Sequence, residues 1–241
     1  MRPKMKKIFL TLCISTIFSW TLEGTQILHT KPNDKSYRTH DEFVQFVETT
    51  FKEAIPLESD ADVLHYASNQ VGISGIFIEL GTGLGRTTNF IAALNPQKTI
   101  YTFDSYLGHP ADWDKGDKIL PKDFFAWPAD KPLPSFLNNV CLIKGWFVDT
   151  LPSFISSQQD IIAFIHVDCE IYESTALALD ILAPKIVDGT ILVFDELYNY
   201  PNYRLHEYKA FQEFLDKQSF EAEYLAFNVF HEQVAIRLHK K

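Results

Sequence analysis

Acidic residues stand at the ends of the most apolar runs of this 241-residue chain. The run Ile161-Ile-Ala-Phe-Ile-His-Val167 ends in Asp168-Cys169-Glu170, and Thr190-Ile-Leu-Val-Phe194 ends in Asp195-Glu196. Continuous apolar runs of this length are typical of central parallel strands. In one sheet the four carboxylates would crowd a single rim, where like charges repel strongly unless they are protonated or neutralised by a cation. A hard divalent ion with oxygen ligands is the simplest remedy. The alternative is that these acids cap helices and are solvated at the rim. Two further acids close strand-like runs: Glu79 follows Ile76-Phe77-Ile78, and Asp104 follows Thr99-Ile-Tyr-Thr-Phe103.

Holding such acids at one rim takes strands that alternate with helices. Apolar residues at helical spacing predict helices over Asp41–Ile55, Ser59–Val71, from Leu84 to Asn95-Pro96, over Tyr172–Ile186 with Asp188-Gly189 closing it, and over Arg204–Lys217. Val140–Lys144 reads as a strand, and Gly145–Pro152 as a turn capped into a short helix by Asp149 or Thr150. Phe220–Phe227 and Gln233–Leu238 read as two final strands. Strands alternating with helices imply an α/β fold with a doubly wound, mostly parallel sheet. Ligands of such a sheet bind beyond the carboxyl ends of the strands, where the winding reverses.

Between Glu79 and the helix that follows, glycine recurs at alternate positions, in Gly81, Gly83 and Gly85. Such a loop lets the backbone turn tightly and aim N–H groups at a ligand. A dinucleotide-binding loop would place its third glycine at position 86, where Arg86 stands instead. Asp104 comes about twenty residues later, where folds of this kind place the acid that grips two ribose hydroxyls.

The pattern Glu79-x-Gly81-x-Gly83-x-Gly85 resembles the first motif of the class I S-adenosylmethionine-dependent methyltransferases. Phe103-Asp-Ser-Tyr-Leu-Gly-His-Pro110 is similar to the segment F-D-S-F-x-G-L-P of the macrocin O-methyltransferase type, with His109 in place of Leu. Gly145–Pro152 is similar to that group's G-x-F-x-D-T-L-P, Asp168–Thr175 to its D-x-D-x-Y-x-S-T, and Asp195-Glu196 to its D-D pair. Glu170 and Glu196 each replace an Asp of those patterns. The resemblance covers about 75–238 and implies a Rossmann-like seven-stranded methyltransferase sheet, mostly parallel with an antiparallel edge pair, in a domain over 36–241. It implies S-adenosylmethionine as cofactor, with Glu79 near the methionine ammonium and Gly81, Thr82, Gly83, Gly85, Arg86, Thr87, Asp104, Ser105 and Asp168 around it. Magnesium would be held by Asp168, Asp195 and Glu196, and Glu170 would be the general base for metal-assisted methyl transfer to a hydroxyl of a small molecule or sugar. Two rival readings are a nucleotide-cofactor oxidoreductase, disfavoured by Arg86, and a non-catalytic exported binding protein of the same fold.

A net charge of −9 argues against nucleic acid as a partner, since phosphate binding needs a basic face. The stretch from Ser105 to Asn139 interleaves five prolines with Trp113, Phe124, Phe125 and Trp127, and loops of that length are usually lids or binding loops. Its aromatic residues would stack on an acceptor or plug the loop onto the domain. His166, inside its strand, reads as a hydrogen-bonded core histidine, whereas Tyr203 and His206 would line the acceptor site or lie on the surface. Cys13, Cys141 and Cys169 share no metal spacing, and the latter two read as buried thiols. The helices ahead of the first strand would cover the cofactor or make a homodimer contact, and packing alone explains them equally well. Arg2, Lys4, Lys6 and Lys7 precede an apolar run from Ile8 to Trp20, so residues 1–25 read as a signal-like hydrophobic extension. No A-x-A-like cleavage site follows it, and dependence on S-adenosylmethionine favours the cytoplasm. The alternatives to a genuine export signal are an amphipathic extension and a misassigned start codon.

Overall fold

The computed structural model describes residues 41–241, so the signal-like segment and Cys13 lie outside the described residues. The first elements are α1 (Asp41–Thr50), β1 (Ile55–Leu57) and α2 (Asp60–Asn69). The expected helix over Asp41–Ile55 therefore stops short. Ile55 precedes Pro56, whose ring disfavours helical backbone at the residue before it, and Ile55–Leu57 instead forms a strand. The start of α2 is fixed by Ser59, whose hydroxyl accepts the Asp62 N–H at 3.0 Å.

Next come β2 (Ile76–Leu80), α3 (Arg86–Leu94), β3 (Ile100–Asp104), the short hairpin β4 (Trp113–Asp114) and β5 (Ile119–Leu120), β6 (Val140–Lys144) and α4 (Phe147–Ser157). Trp146 takes the N-cap of α4 without a side-chain bond, so the expected caps Asp149 and Thr150 lie inside the helix. Then follow β7 (Ile162–Val167), α5 (Tyr172–Leu182), β8 (Ile186–Phe194), α6 (Glu207–Gln218), β9 (Phe220–Asn228) and β10 (Val234–Lys240). The helix expected to reach Ile186 ends at Leu182. Pro184 cannot continue an α-helix, a single 3₁₀ turn intervenes, and Asp188-Gly189 falls inside β8.

The main sheet has the order β1-β9-β10-β8-β7-β2-β3-β6. The seven expected strands are all in it, and β1 adds an eighth by pairing in parallel with β9. β10 runs antiparallel to both β8 and β9, and the strands from β8 through β6 are parallel. Alternate residues of each strand face opposite ways. Phe77, Ile191 and Val193 pack with α2 and α3 on one face, whereas Ile78, Leu80, Leu192 and Phe194 join α1, α4, α5 and α6 on the other. From β2 the chain winds outward through β3 to β6, then returns to β7 on the opposite side of β2. The winding thus reverses between β2 and β7, at the strands that end in the glycine loop and Asp168.

Phe194 is fully buried against Phe211, with ring centroids 4.9 Å apart. Phe194→Ala should cost about 3–5 kcal/mol in chemical denaturation, the scale of emptying an aromatic core position. Val44→Ala, at a half-exposed site on α1, should stay within about 0.5 kcal/mol of the parent.

Candidate active site

Backbone hydrogen bonds extend the sheet one step past its strands and fix where the acids stand. Gly81 N–H donates to Phe103 O at 2.9 Å, Asp168 N–H to Leu80 O at 2.8 Å, and Asp195 N–H to Val167 O at 2.9 Å. This brings Asp168 hard against the start of the loop: a Cβ on Gly81, which has φ +94°, would lie 1.6 Å from the Asp168 carbonyl oxygen. Gly81 is therefore required by backbone approach, not by space for a ligand. Gly83, at φ +47°, has nothing within 4 Å of where a Cβ would stand, so it is the glycine that leaves open space.

A cavity of about 400 Å³ lies over this loop. Of the residues expected to hold a cofactor, Gly81, Thr82, Gly83, Arg86, Thr87, Asp104, Ser105 and Asp168 line it, as does Glu170. Gly85 and Glu79 do not. Gly85 caps α3 in left-handed backbone beside the Phe136 ring. Glu79 is fully buried: Oε2 accepts from the hydroxyls of Thr88 and of Thr102, the latter at 2.9 Å, and Oε1 lies 3.1 Å from His166 Nδ1. Its carboxylate holds the strand ends together rather than facing the cavity. The loop amides are also engaged, because Asp104 Oδ2 accepts the N–H groups of Thr82 and Gly83 at 2.9 and 2.8 Å. The expectation that they point at a ligand is corrected accordingly. Asp104 lines the cavity while bracing the loop, and Arg86 is tied by Nη1 to Asp60 Oδ2 at 2.8 Å.

Three of the four rim acids converge. Ligand atoms of Asp168, Asp195 and Glu196 lie within 4.8 Å of one another, and Asp195 Oδ1 and Glu196 Oε2 are buried without a hydrogen-bond partner. Oxygen donors so arranged fit a hard divalent cation. Glu79, His166 and Asp168 form a second close trio, but Glu79 is already bonded as described. Asp195 and Glu196 do not line the cavity, so Asp168 is the residue shared between cavity and cluster. Burial pushes the carboxyls of Asp168 and Glu196 well above their ordinary range, with neighbouring Asp195 adding to both. Burial also raises Glu170, although His109 opposes it. Burial acts the same way on Asp195, but the adjacent His166 imidazole outweighs it and holds this carboxyl below its usual value. His166 Nε2 is 3.7 Å from Asp195 Oδ1, and although burial opposes it, the surrounding acids Asp195, Glu79 and Asp168 raise the ring well above the usual imidazole range.

Glu207, at the start of α6, escaped the sequence reading because a first-turn acid looks like any helix-dipole partner. It is fully buried, with Oε1 accepting Glu170 N–H at 3.1 Å and Oε2 accepting Glu196 N–H at 3.0 Å. It pins both acidic motifs to one another. Burial raises its carboxyl to about 8.

The aromatic residues of the 105–139 loop divide between the cavity and the core. His109, Phe124, Phe125 and Trp127 line the cavity, joined by Trp146 and Phe147 from the α4 start. Trp113 instead is buried, edge-on to Tyr200 and His206. Tyr203 and His206 are themselves buried and do not line the cavity. Cys169 is buried as expected; Cys141, on edge strand β6, is exposed.

A family model described as a methyltransferase domain matches residues 78–197. The 8-demethyl-8-(2,3-dimethoxy-alpha-L-rhamnosyl)-tetracenomycin-C 4'-O-methyltransferase of Streptomyces olivaceus is 27% identical over 156 residues, 56% of this chain; the match spans 59% of that protein's length. Among solved structures, CalS11, a calicheamicin methyltransferase, is similar with a TM-score of 0.61, at 22% identity over 91% of each chain. The O-methyltransferase NovP is similar at 0.54, with 19% identity over 75% of this chain and 79% of its own. At these identities the two structures speak for the fold.

The two loop glycines should separate cleanly on substitution. Gly81→Ala should lose about 3 kcal/mol or more in chemical denaturation, because its Cβ overlaps the Asp168 backbone. Gly83→Ala should lose only about 1–2 kcal/mol, the cost of left-handed backbone with a side chain.

Proposed function

We propose that this chain, whose residues 78–197 match a methyltransferase domain, is a class I S-adenosylmethionine-dependent enzyme that transfers a methyl group to a hydroxyl of a sugar or another small molecule, with a divalent cation assisting. The observation that carries the reading is the position of Asp168, which lines the cavity above the glycine loop and also belongs to the three-carboxylate cluster. A cofactor over the loop and an acceptor at the cation then meet at one residue. The sugar acceptor is supported by the Streptomyces olivaceus relative and by CalS11, described as a TDP-rhamnose 3'-O-methyltransferase.

S-adenosylmethionine supplies a methyl already activated by its sulfonium charge, so the protein's task is placement. Asp104 would receive the ribose hydroxyls, and the open space at Gly83 would admit the cofactor's amino-acid end. Asp168, Asp195 and Glu196 would hold magnesium, which would supply Lewis acidity that makes a hydroxyl easier to deprotonate. Glu170 takes the hydroxyl proton at Oε1, since Oε2 is held by His109 Nε2 at 2.9 Å. The aromatic residues Phe124, Phe125 and Trp127 line the cavity and would offer ring faces to the acceptor.

Calorimetry tests the cofactor assignment first: S-adenosylmethionine or its demethylated product should bind and NAD should not. Asp104→Ala should weaken that binding by about 1–3 kcal/mol. A panel of nucleotide-linked deoxysugars and simple rhamnosides, assayed with methyl-labelled cofactor, tests the reaction. Chelation should stop transfer while sparing cofactor affinity, and Asp195→Asn should mimic chelation. Glu170→Gln should cut turnover by about a hundredfold or more with the cofactor still bound. Equal turnover with and without chelator would exclude a role for the metal.

A further inference from the structure

Glu170 stands in left-handed backbone, at φ +60°, although it carries a side chain. Its N–H is fixed by Glu207, which leaves its carboxylate as the part still to be oriented. The group that meets it comes from a distant part of the sequence: His109 Nε2 lies 2.9 Å from Glu170 Oε2, across 61 residues of chain. Both side chains line the cavity, and both are mostly shielded, at 8% and 13% exposure.

The ring of His109 is held for this contact. Its backbone N–H donates to Lys122 O at 2.6 Å, and its imidazole packs against Phe125 and Trp113, with centroids 5.2 and 6.2 Å away. Among the described residues Nδ1 is buried with no hydrogen-bond partner, so Glu170 is the one polar engagement of the ring there. An apolar side chain would fill the same aromatic slot without burying an unsatisfied nitrogen. Reach matters as well. Glu170 extends one methylene further than an aspartate, and a carboxylate drawn back by that length would leave hydrogen-bond distance of Nε2.

We propose that His109 is a positioning residue for the base: its Nε2–H holds Glu170 Oε2, turns Oε1 toward the acceptor hydroxyl, and makes the orientation of the base depend on the packed state of the 105–139 loop. The longer acid at position 170 and the histidine at position 109 act as a pair, and neither has its effect without the other. The inference rests on the reading of Glu170 as general base, and the test separates the two.

Four proteins carry the test: wild type, His109→Leu, Glu170→Asp and the double variant, assayed on whichever rhamnoside or nucleotide-linked deoxysugar the wild type methylates. His109→Leu should lower kcat by about ten- to a hundredfold, the scale of losing a residue that orients a reacting group, with cofactor affinity unchanged. His109→Gln should recover most of kcat, because its amide N–H can donate from a similar place. The double variant should be no slower than Glu170→Asp alone, since the shortened acid has already lost the histidine. Losses that multiply in the double variant, or wild-type kcat in His109→Leu, would overturn the proposal. A second measurement needs no acceptor: nitrogen-15 spectra of the histidine side chains, with His109 identified by its absence in His109→Gln. The ring should carry its proton on Nε2 and shift on Glu170→Asp. An unmoved signal overturns the contact whatever the turnover. A shift in a wild type that methylates no acceptor instead overturns the function reading, and the positioning role with it.

Discussion

Asp168, Glu170, Asp195, Glu196 and Glu207 bring their carboxylates into one poorly solvated rim, and their mutual repulsion is the constraint to which the neighbouring groups answer. Ionised oxygens at this spacing cannot all keep their charge without compensation. Protonation relieves part of it, which is why burial and proximity push Asp168, Glu196 and Glu207 upward together. The charged imidazole of His166 relieves Asp195, and backbone N–H groups relieve Glu207. Glu196 Oε2, which has no hydrogen bond, and Asp195 Oδ1, which has only the His166 ion pair at 3.7 Å, mark the place where a cation would complete the balance.

That balance also explains why acids serve as struts here. Glu79 draws Thr88, Thr102 and His166 together beneath the loop, Asp104 braces Thr82 and Gly83, and Glu207 joins the two acidic motifs. A carboxylate can accept several hydrogen bonds at once, so it suits a strand end where donors from separate elements meet. The same residue types thus brace the loop and line its cavity. Asp104, Asp168 and Glu170 line the cavity, whereas Glu79, Asp195, Glu196 and Glu207 do not.

The long loop extends this economy. Trp113 anchors it among Tyr200 and His206, with the Lys115 ammonium 4.3 Å from the Trp113 ring centroid. With that end fixed, His109 reaches Glu170 while Phe124 and Phe125, at 56% and 47% exposure, stand at the cavity with much of their surface open to solvent. One segment therefore combines a packed root with an open aromatic margin.

By itself the sequence determined the alternation of strands and helices, the glycine turn, and the acids at strand ends, because those depend on local apolar periodicity and turn chemistry. Asp168, Asp195 and Glu196 were legible as a convergent set for that reason: parallel strands in one sheet end on one rim. The sequence could not show which way each side chain is used once there. Gly81 is set by the carbonyl of a residue far along the chain, Glu79 and Asp104 turn to hydroxyl and amide donors supplied by neighbouring strands and loops, and Ile55–Leu57 becomes a strand only because β9 offers it an edge. Glu207 and His109 carry no local signature, since their meaning lies in contacts 37 and 61 residues away. Those were decided by tertiary structure, because hydrogen-bond partners and burial are properties of the packed sheet end and not of any stretch of chain.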